Sequence, residues 1–270
     1  RLALELPYVP RPGQPLEISR LVLDSPQVEL REVPGGGFAG WNELLGKEQQ
    51  PPAPRPPASE GQESGAHWRL RSLEARDGAL RLASLASPYM MSIRGINVAL
   101  ASAPNAGWYD LNGTVRQAPA LDMTFAGVLN PTQSLLELSD LRLTAEFGEN
   151  RYAILPPKIQ TIVRGRDVRG TLQAHVTGLL AWRDPQRTQA RVSAQVNNGH
   201  VALGRLEWPI QTLQVTSQIR AGEVAADYAG TLLGGEVSGS AQLALGPPKT
   251  FTLNWNAAGL QLEQMLRVAE

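Results

Sequence analysis

Cysteine is absent from the 270 residues. That excludes disulfide frameworks, Cys-ligated zinc and thiol catalysis, but it fixes no compartment, because cytosolic and envelope proteins alike can do without cysteine. A charge of one sign is also missing: Lys plus Arg equals Asp plus Glu at 25 each. Nucleic-acid binding driven by counterion release therefore has no footing, and no nucleic-acid partner is expected. No run of 18 apolar residues occurs, so no segment reads as a membrane-spanning helix. The chain opens on Arg1 without a signal-peptide pattern, which reads as a piece of a longer protein with any anchor or targeting signal outside it. Catalytic signatures are missing too. There is no G-x-S-x-G, H-E-x-x-H or P-loop, so we expect neither an enzyme nor a cofactor.

One motif imitates a nucleotide site. Gly35, Gly37 and Gly40 spell G-x-G-x-x-G, but Pro34 precedes them and the strand before them, Val28 to Val33, alternates instead of reading as a buried run. Only about one turn of helix, Trp41 to Leu45, follows, and the acids at the right distance, Glu60 and Glu63, fall in polar chain. The motif reads as a glycine-rich loop.

His67, His175 and His200 lie far apart and read as surface residues, with no metal site expected. The six tryptophans, at 41, 68, 108, 182, 208 and 255, are scattered near strand ends and read as packing. Asn112-Gly113-Thr114 is a formal glycosylation sequon, but Asn-Gly reads first as a turn.

What is present is alternation. Hydrophobic residues make up 42% of the chain, enough for a large core. Residues 47–66, KEQQPPAPRPPASEGQESGA, interrupt it as a Pro-rich flexible insertion. The organisation expected is a β-hairpin segment over 1–46, that insertion, and a continuous β-meander over 67–270. Short helices are expected near 156–163 and 260–268, the second carrying Leu262, Met265, Leu266 and Ala269 at amphipathic spacing.

A spacing recurs: two apolar positions two apart, a two-residue turn, then two more. It predicts five hairpins. Their turns are Ser25-Pro26, Asp77-Gly78, Asn198-Gly199, Ala221-Gly222 and Gly234-Gly235, three of which are pairs that tolerate the positive φ of type I′ or II′ turns. In that register Val196 faces Val201 and Ile219 faces Val224. Further strands are expected at Met91 to Ala101, Leu111 to Gln117, Leu121 to Val128, Leu135 to Phe147, Val168 to Val176 and Phe251 to Asn256.

About a dozen alternating strands with almost no helix must cover an apolar face with something. The choices are a closed sandwich or barrel, a second copy, or a trough. Large residues on that face (Leu172, Val176, Val196, Val215, Ile219) mix with small ones (Gly170, Ala174, Gly178, Gly230, Gly239). That mixture favours curvature over a filled core. The expected fold is therefore all-β, a long curved antiparallel meander forming an open trough or incomplete barrel with an apolar inner face. Such a face holds an acyl chain at about 0.8 kcal/mol per buried methylene without any catalytic motif. The candidate lipid-binding residues are Leu172, Val176, Val196, Val215, Ile219, Val224 and Leu232.

Three stretches resemble the AsmA family of bacterial envelope proteins. Ile18 to Leu45 is similar to its strand pair closed by a glycine turn and a Trp-Asn pair, here Trp41-Asn42. Leu155 to Gly178 is similar to its short helix leading into a G-T-L strand, and Asn197 to Leu245 to its late hairpins. The resemblance covers about two-thirds of the chain. It implies a periplasmic β-structure tethered to the inner membrane by a segment outside this one, serving bridge-like transport of phospholipid between inner and outer membrane or outer-membrane biogenesis. The partners it implies are phospholipid acyl chains and other envelope proteins. The alternatives are a structural or interaction β module with a closed core and no lipid, and a carbohydrate-active β protein.

Overall fold

Period-two alternation needs a partner strand on each side, and here it finds one almost everywhere. The computed structural model describes residues 2–6, 16–34, 39, 68–204, 206–244, 246, 249–261 and 263. The Gly35–Gly40 loop, Trp41–Leu45, the Pro-rich stretch, His67 and the greater part of the 260–268 helix lie outside the described residues.

The strands are β1 Leu2–Glu5, β2 Leu16–Ile18, β3 Arg20–Asp24, β4 Gln27–Arg31, β5 Trp68–Leu70, β6 Ser72–Ala83, β7 Met90–Ser102 and β8 Tyr109–Gln117. They continue as β9 Leu121–Asn130, β10 Leu135–Phe147, β11 Arg169–Ala181, β12 Gln189–Leu203, β13 Leu206–Arg220, β14 Glu223–Leu232, β15 Gly235–Ala244 and β16 Phe251–Ala258. Fourteen of them form one unclosed sheet, in which neighbours from β6 to β16 follow chain order and pair antiparallel. The helix expected near 156–163 is α1, Pro157–Arg164, with Pro157 at its first turn, where a missing N–H costs nothing.

At the N-terminal edge the sheet is mixed. β3 and β4 both run parallel to β6 with one constant offset, Leu21 beside Leu73 and Val28 beside Leu80. Ser25-Pro26 is therefore not a hairpin turn. It is a break in a strand that resumes along the same partner, held by Ser25 N–H to the Arg76 carbonyl and Ala79 N–H to the Pro26 carbonyl. The two segments share one spacing because they lie side by side.

Two more expected turns are bulges. β6 passes straight through Asp77-Gly78 and β12 through Asn198-Gly199, each with one residue at positive φ (Asp77 48°, Asn198 51°) and a shift in register against a neighbour. Val196 consequently faces Leu172 and Leu213, not Val201. Positive φ is required in both settings. A long strand on either side of the signal converts a reversal into a bulge. Asn112-Gly113 also lies inside a strand, β8, where the Phe125 ring covers the glycine across the ladder.

Two hairpins are as expected in kind. Ala221-Gly222 joins β13 to β14 with Ile219 opposite Val224. The next turn sits one residue earlier than its Gly-Gly pair suggests: Leu232 pairs with Gly235, so Leu233 (φ 50°) and Gly234 (φ 70°) form it. Leu233 is fully buried, which pulls the turn toward it despite the unfavourable backbone.

The packed core is local. Val115, Leu121 and Ala145, on β8 to β10, are covered by Ile154 from the 3-10 turn Tyr152–Ile154 that precedes α1. Tyr152 is buried there and donates to the Val168 carbonyl at 2.5 Å; burial raises its pKa.

Candidate functional site: the apolar face

The register carries one row of side chains across the whole sheet. Leu4, Leu21, Leu73, Leu100 and Leu111 lead through Gly127, Leu138, Gly178 and Ala190 to Ile219, Val224, Leu243 and Phe251. Each member is apolar. A second row, from Val115 through Met123, Leu143, Ala174, Ala194, Val215, Tyr228 and Gly239 to Trp255, lies on the same face. One residue away, on the opposite face, the row reads Thr114, Thr124, Arg142, His175, Ser193, Thr216, Asp227, Ser240, Asn254. From β8 to β16 the sheet is thus greasy on one side and mainly polar on the other.

Bulges keep it so. β10 carries an extra residue at Ser139-Asp140, and the Asn198-Gly199 bulge of β12 is matched on β13 between Ile210 and Thr212. Each resets the alternation so that Trp208, Val201 and Ile210 return to the apolar side.

The apolar face is the inside of the curve. At Gly178 and Gly230 the place of the missing Cβ is taken by a carbonyl oxygen of the next strand, Gln189 and Thr212 respectively, and the same holds at Gly127 and Gly239. All four glycines point to the apolar face, so the backbone folds toward that side where no side chain resists. Exposure agrees. Along β12 to β14 the apolar side chains are half-buried and the polar ones exposed, although among the described residues no second layer covers either.

All seven candidate residues sit on this concave face: Leu172, Val176, Val196, Val215, Ile219, Val224 and Leu232, each half-buried. The small residues named with them lie there too, as the glycines at which the sheet bends. The sequence reading missed the two ends of the surface: Leu2 and Leu4 on β1, and Phe251, Leu253 and Trp255 on the last strand of the sheet order, β16, where Trp255 is 66% exposed. Alternation marked β16 as a strand, but only its place in the sheet order makes it an edge. The face also holds the one buried side-chain donor lacking a partner among the described residues, Trp208 Nε1.

The 3-10 turn Tyr152–Ile154 covers the face over β8 to β10, and α1 packs beside that turn and the start of β7. Gln160, 1% exposed, donates from Nε2 to the carbonyls of Met90 (3.0 Å) and Leu155 (2.8 Å), and Ser87 Oγ meets Thr161 Oγ1 at 3.0 Å. From β11 to β16 the concave surface continues without such a cover among the described residues.

The outer face is different in kind. A crevice of about 630 Å³ on it lies between Arg142, His175, Ser193 and Thr216 on one side and Thr144, Gln173, Gln195 and Gln214 on the other, and no tryptophan lines it. His175 pairs with Asp140 at 2.9 Å and His200 stands 3.8 Å from Asp167. No three His, Asp or Glu side chains gather among the described residues. No described helix is long and apolar enough to cross a membrane.

Fold and face together define an open, two-faced β-sheet with a greasy concave surface. No family model, no curated protein and no solved structure matches the chain. What it does must be argued from its own side chains.

Proposed function

We propose that the concave face takes phospholipid acyl chains, as a segment of a periplasmic, AsmA-like protein that conducts lipid between the inner and outer membranes and is held to the inner membrane through a part of the chain outside these residues. The observation that carries this reading is the unbroken apolar row from Leu4 to Phe251. Thirteen strands spaced about 4.8 Å apart give it a length on the order of 60 Å. A lipid tail spans about half of a ~30 Å hydrocarbon core, so several tails fit along the row in succession. Each methylene taken from water contributes about 0.8 kcal/mol, and no polar contact is needed to hold it. A surface of this kind binds tails without selecting among them and lets them slide, which suits transport better than storage.

A second reading, an interaction module without lipid, draws on one feature. β16 has no charged residue and displays Phe251 and Trp255 at an edge that has no partner strand among the described residues, the kind of edge another chain's strand extends. One experiment separates the two: lipid extracted from the purified protein is identified by mass spectrometry, and the extraction is repeated on Ile219→Asp with Val224→Asp. The transport reading expects phospholipid from the parent and at least about tenfold less from the variant, since a charge on that row is costly to bury beside a tail. Lipid-free parent protein that captures an envelope protein through β16 supports the second reading.

A further inference from the structure

Helix α1 is inside out. A surface helix turns its apolar stripe to the core and its polar side to water. In α1 the side turned inward carries Pro157 and Gln160, the glutamine bonded to two backbone carbonyls, while the exposed Arg164 lays its guanidinium 4.7 Å from the Tyr89 ring and 5.5 Å from that of Tyr152. The side turned out carries Ile159, 42% exposed, and Ile162, 49% exposed, three residues apart on one face. Across a depression of about 420 Å³, lined by Ile162 and Arg166 on one wall and by Ala202 and Leu203 on the other, the β12–β13 turn adds a third apolar side chain, Leu203, which is also exposed.

The charges around this patch are mainly positive. Lys158 and Arg166 flank the isoleucines, and the helix has no acidic residue. Arg166 bonds the Ile162 carbonyl from the same face. Two acids lie beside it: Glu32, which accepts from the Ser84 hydroxyl and the Leu85 N–H and stands 4.0 Å from Lys158, and Asp167, which is paired with Arg169. Exposed isoleucines ringed by cations fit an anionic lipid surface, into which the apolar side chains sink while the cations stay among the headgroups. A protein partner would need acids set around an apolar socket; a bilayer supplies both everywhere.

We propose that α1 and the β12–β13 turn form a docking rim that seats this end of the sheet on an anionic bilayer. The rim lies at one end of the strands, beside the covered part of the concave face. The inference rests on the lipid reading for its purpose, but its test does not.

The test is flotation of the purified protein with vesicles of phosphatidylethanolamine and phosphatidylglycerol, and with vesicles of phosphatidylcholine alone. The protein is expected to float with the anionic vesicles and to release them in high salt. Ile159→Ser with Ile162→Ser, at exposed positions that leave the circular dichroism spectrum unchanged, should weaken binding at least about tenfold. Lys158→Gln and Arg166→Gln should each cost about fivefold with anionic vesicles at low salt and nothing with phosphatidylcholine. Arg191→Gln, a cation on the outer face, should change nothing. Equal flotation of the double isoleucine variant, or none by the parent, overturns the proposal. If the parent fails to float yet carries lipid tails, only the rim is wrong; if it floats yet carries none, only the groove is.

Discussion

Gly178 on β11 and Ala190 on β12 face each other across the ladder so closely that a Cβ on the glycine would lie 2.8 Å from the Ala190 Cα. Gly178 also holds φ at 121°, where side chains other than hydrogen are strained. The bend of the sheet depends on such positions. Gly178→Val should therefore lower stability by roughly 2–4 kcal/mol, from backbone strain and overpacking combined. Gly148→Ala, where an added Cβ meets nothing, should shift it by less than about 0.5 kcal/mol. Denaturant titration of the two variants checks the pair.

Leu233 sets two effects against each other. Its φ of 50° suits glycine and costs leucine about 1 kcal/mol, yet its side chain is fully buried and its N–H is bonded to the Pro209 carbonyl. Burial of a leucine is worth about 1.5–3 kcal/mol before the cost of the cavity is added. Packing wins. Leu233→Gly should destabilise by about 1–3 kcal/mol even though glycine fits the turn, as thermal unfolding would report.

Glu74, on the outer face of β6, receives hydrogen bonds from Arg76 and Arg20, and these hold its carboxyl down at about 2. A depressed carboxylate stabilises the fold above its unfolded value, near 4.5, and that contribution is lost as pH falls from there through about 2. Acid unfolding should be steeper in this window for the parent than for Glu74→Gln, with the two curves parallel above it. Equal slopes below pH 4.5 would mean that the β3–β6 contact does not depend on this charge.

Much of this architecture is written in the sequence, for a physical reason. Alternation at period two marks a strand wherever it occurs, so β7 to β11, β14 and β16 stand close to their expected bounds, and the apolar positions of β11 to β14 fall on one face as read. Turn signals are less legible. Asp77 and Asn198 take positive φ as their residue types suggest, and Ser25 takes it without that signal, but whether the chain then reverses depends on how much partner strand lies beyond, which no local window contains. The same limit placed the second hairpin at Gly234-Gly235, because the backbone partners of Leu233, the Pro209 carbonyl and the Gln261 N–H, are distant in sequence. Helix α1 was visible from Pro157 onward, but its orientation was not: isoleucines at i and i+3 look like a core stripe until Gln160 is seen to be the buried residue.

The most direct measurement sets adjacent residues of one strand against each other. A photo-crosslinking side chain is placed in living cells at Val215, on the concave face, or at Gln214, one residue away on the outer face, and adducts are identified by mass. Phospholipid should be captured from position 215 and not from 214, with the same contrast at Val196 and Gln195. Protein adducts or none at 215 and 196, or equal lipid capture from both faces, would contradict the account.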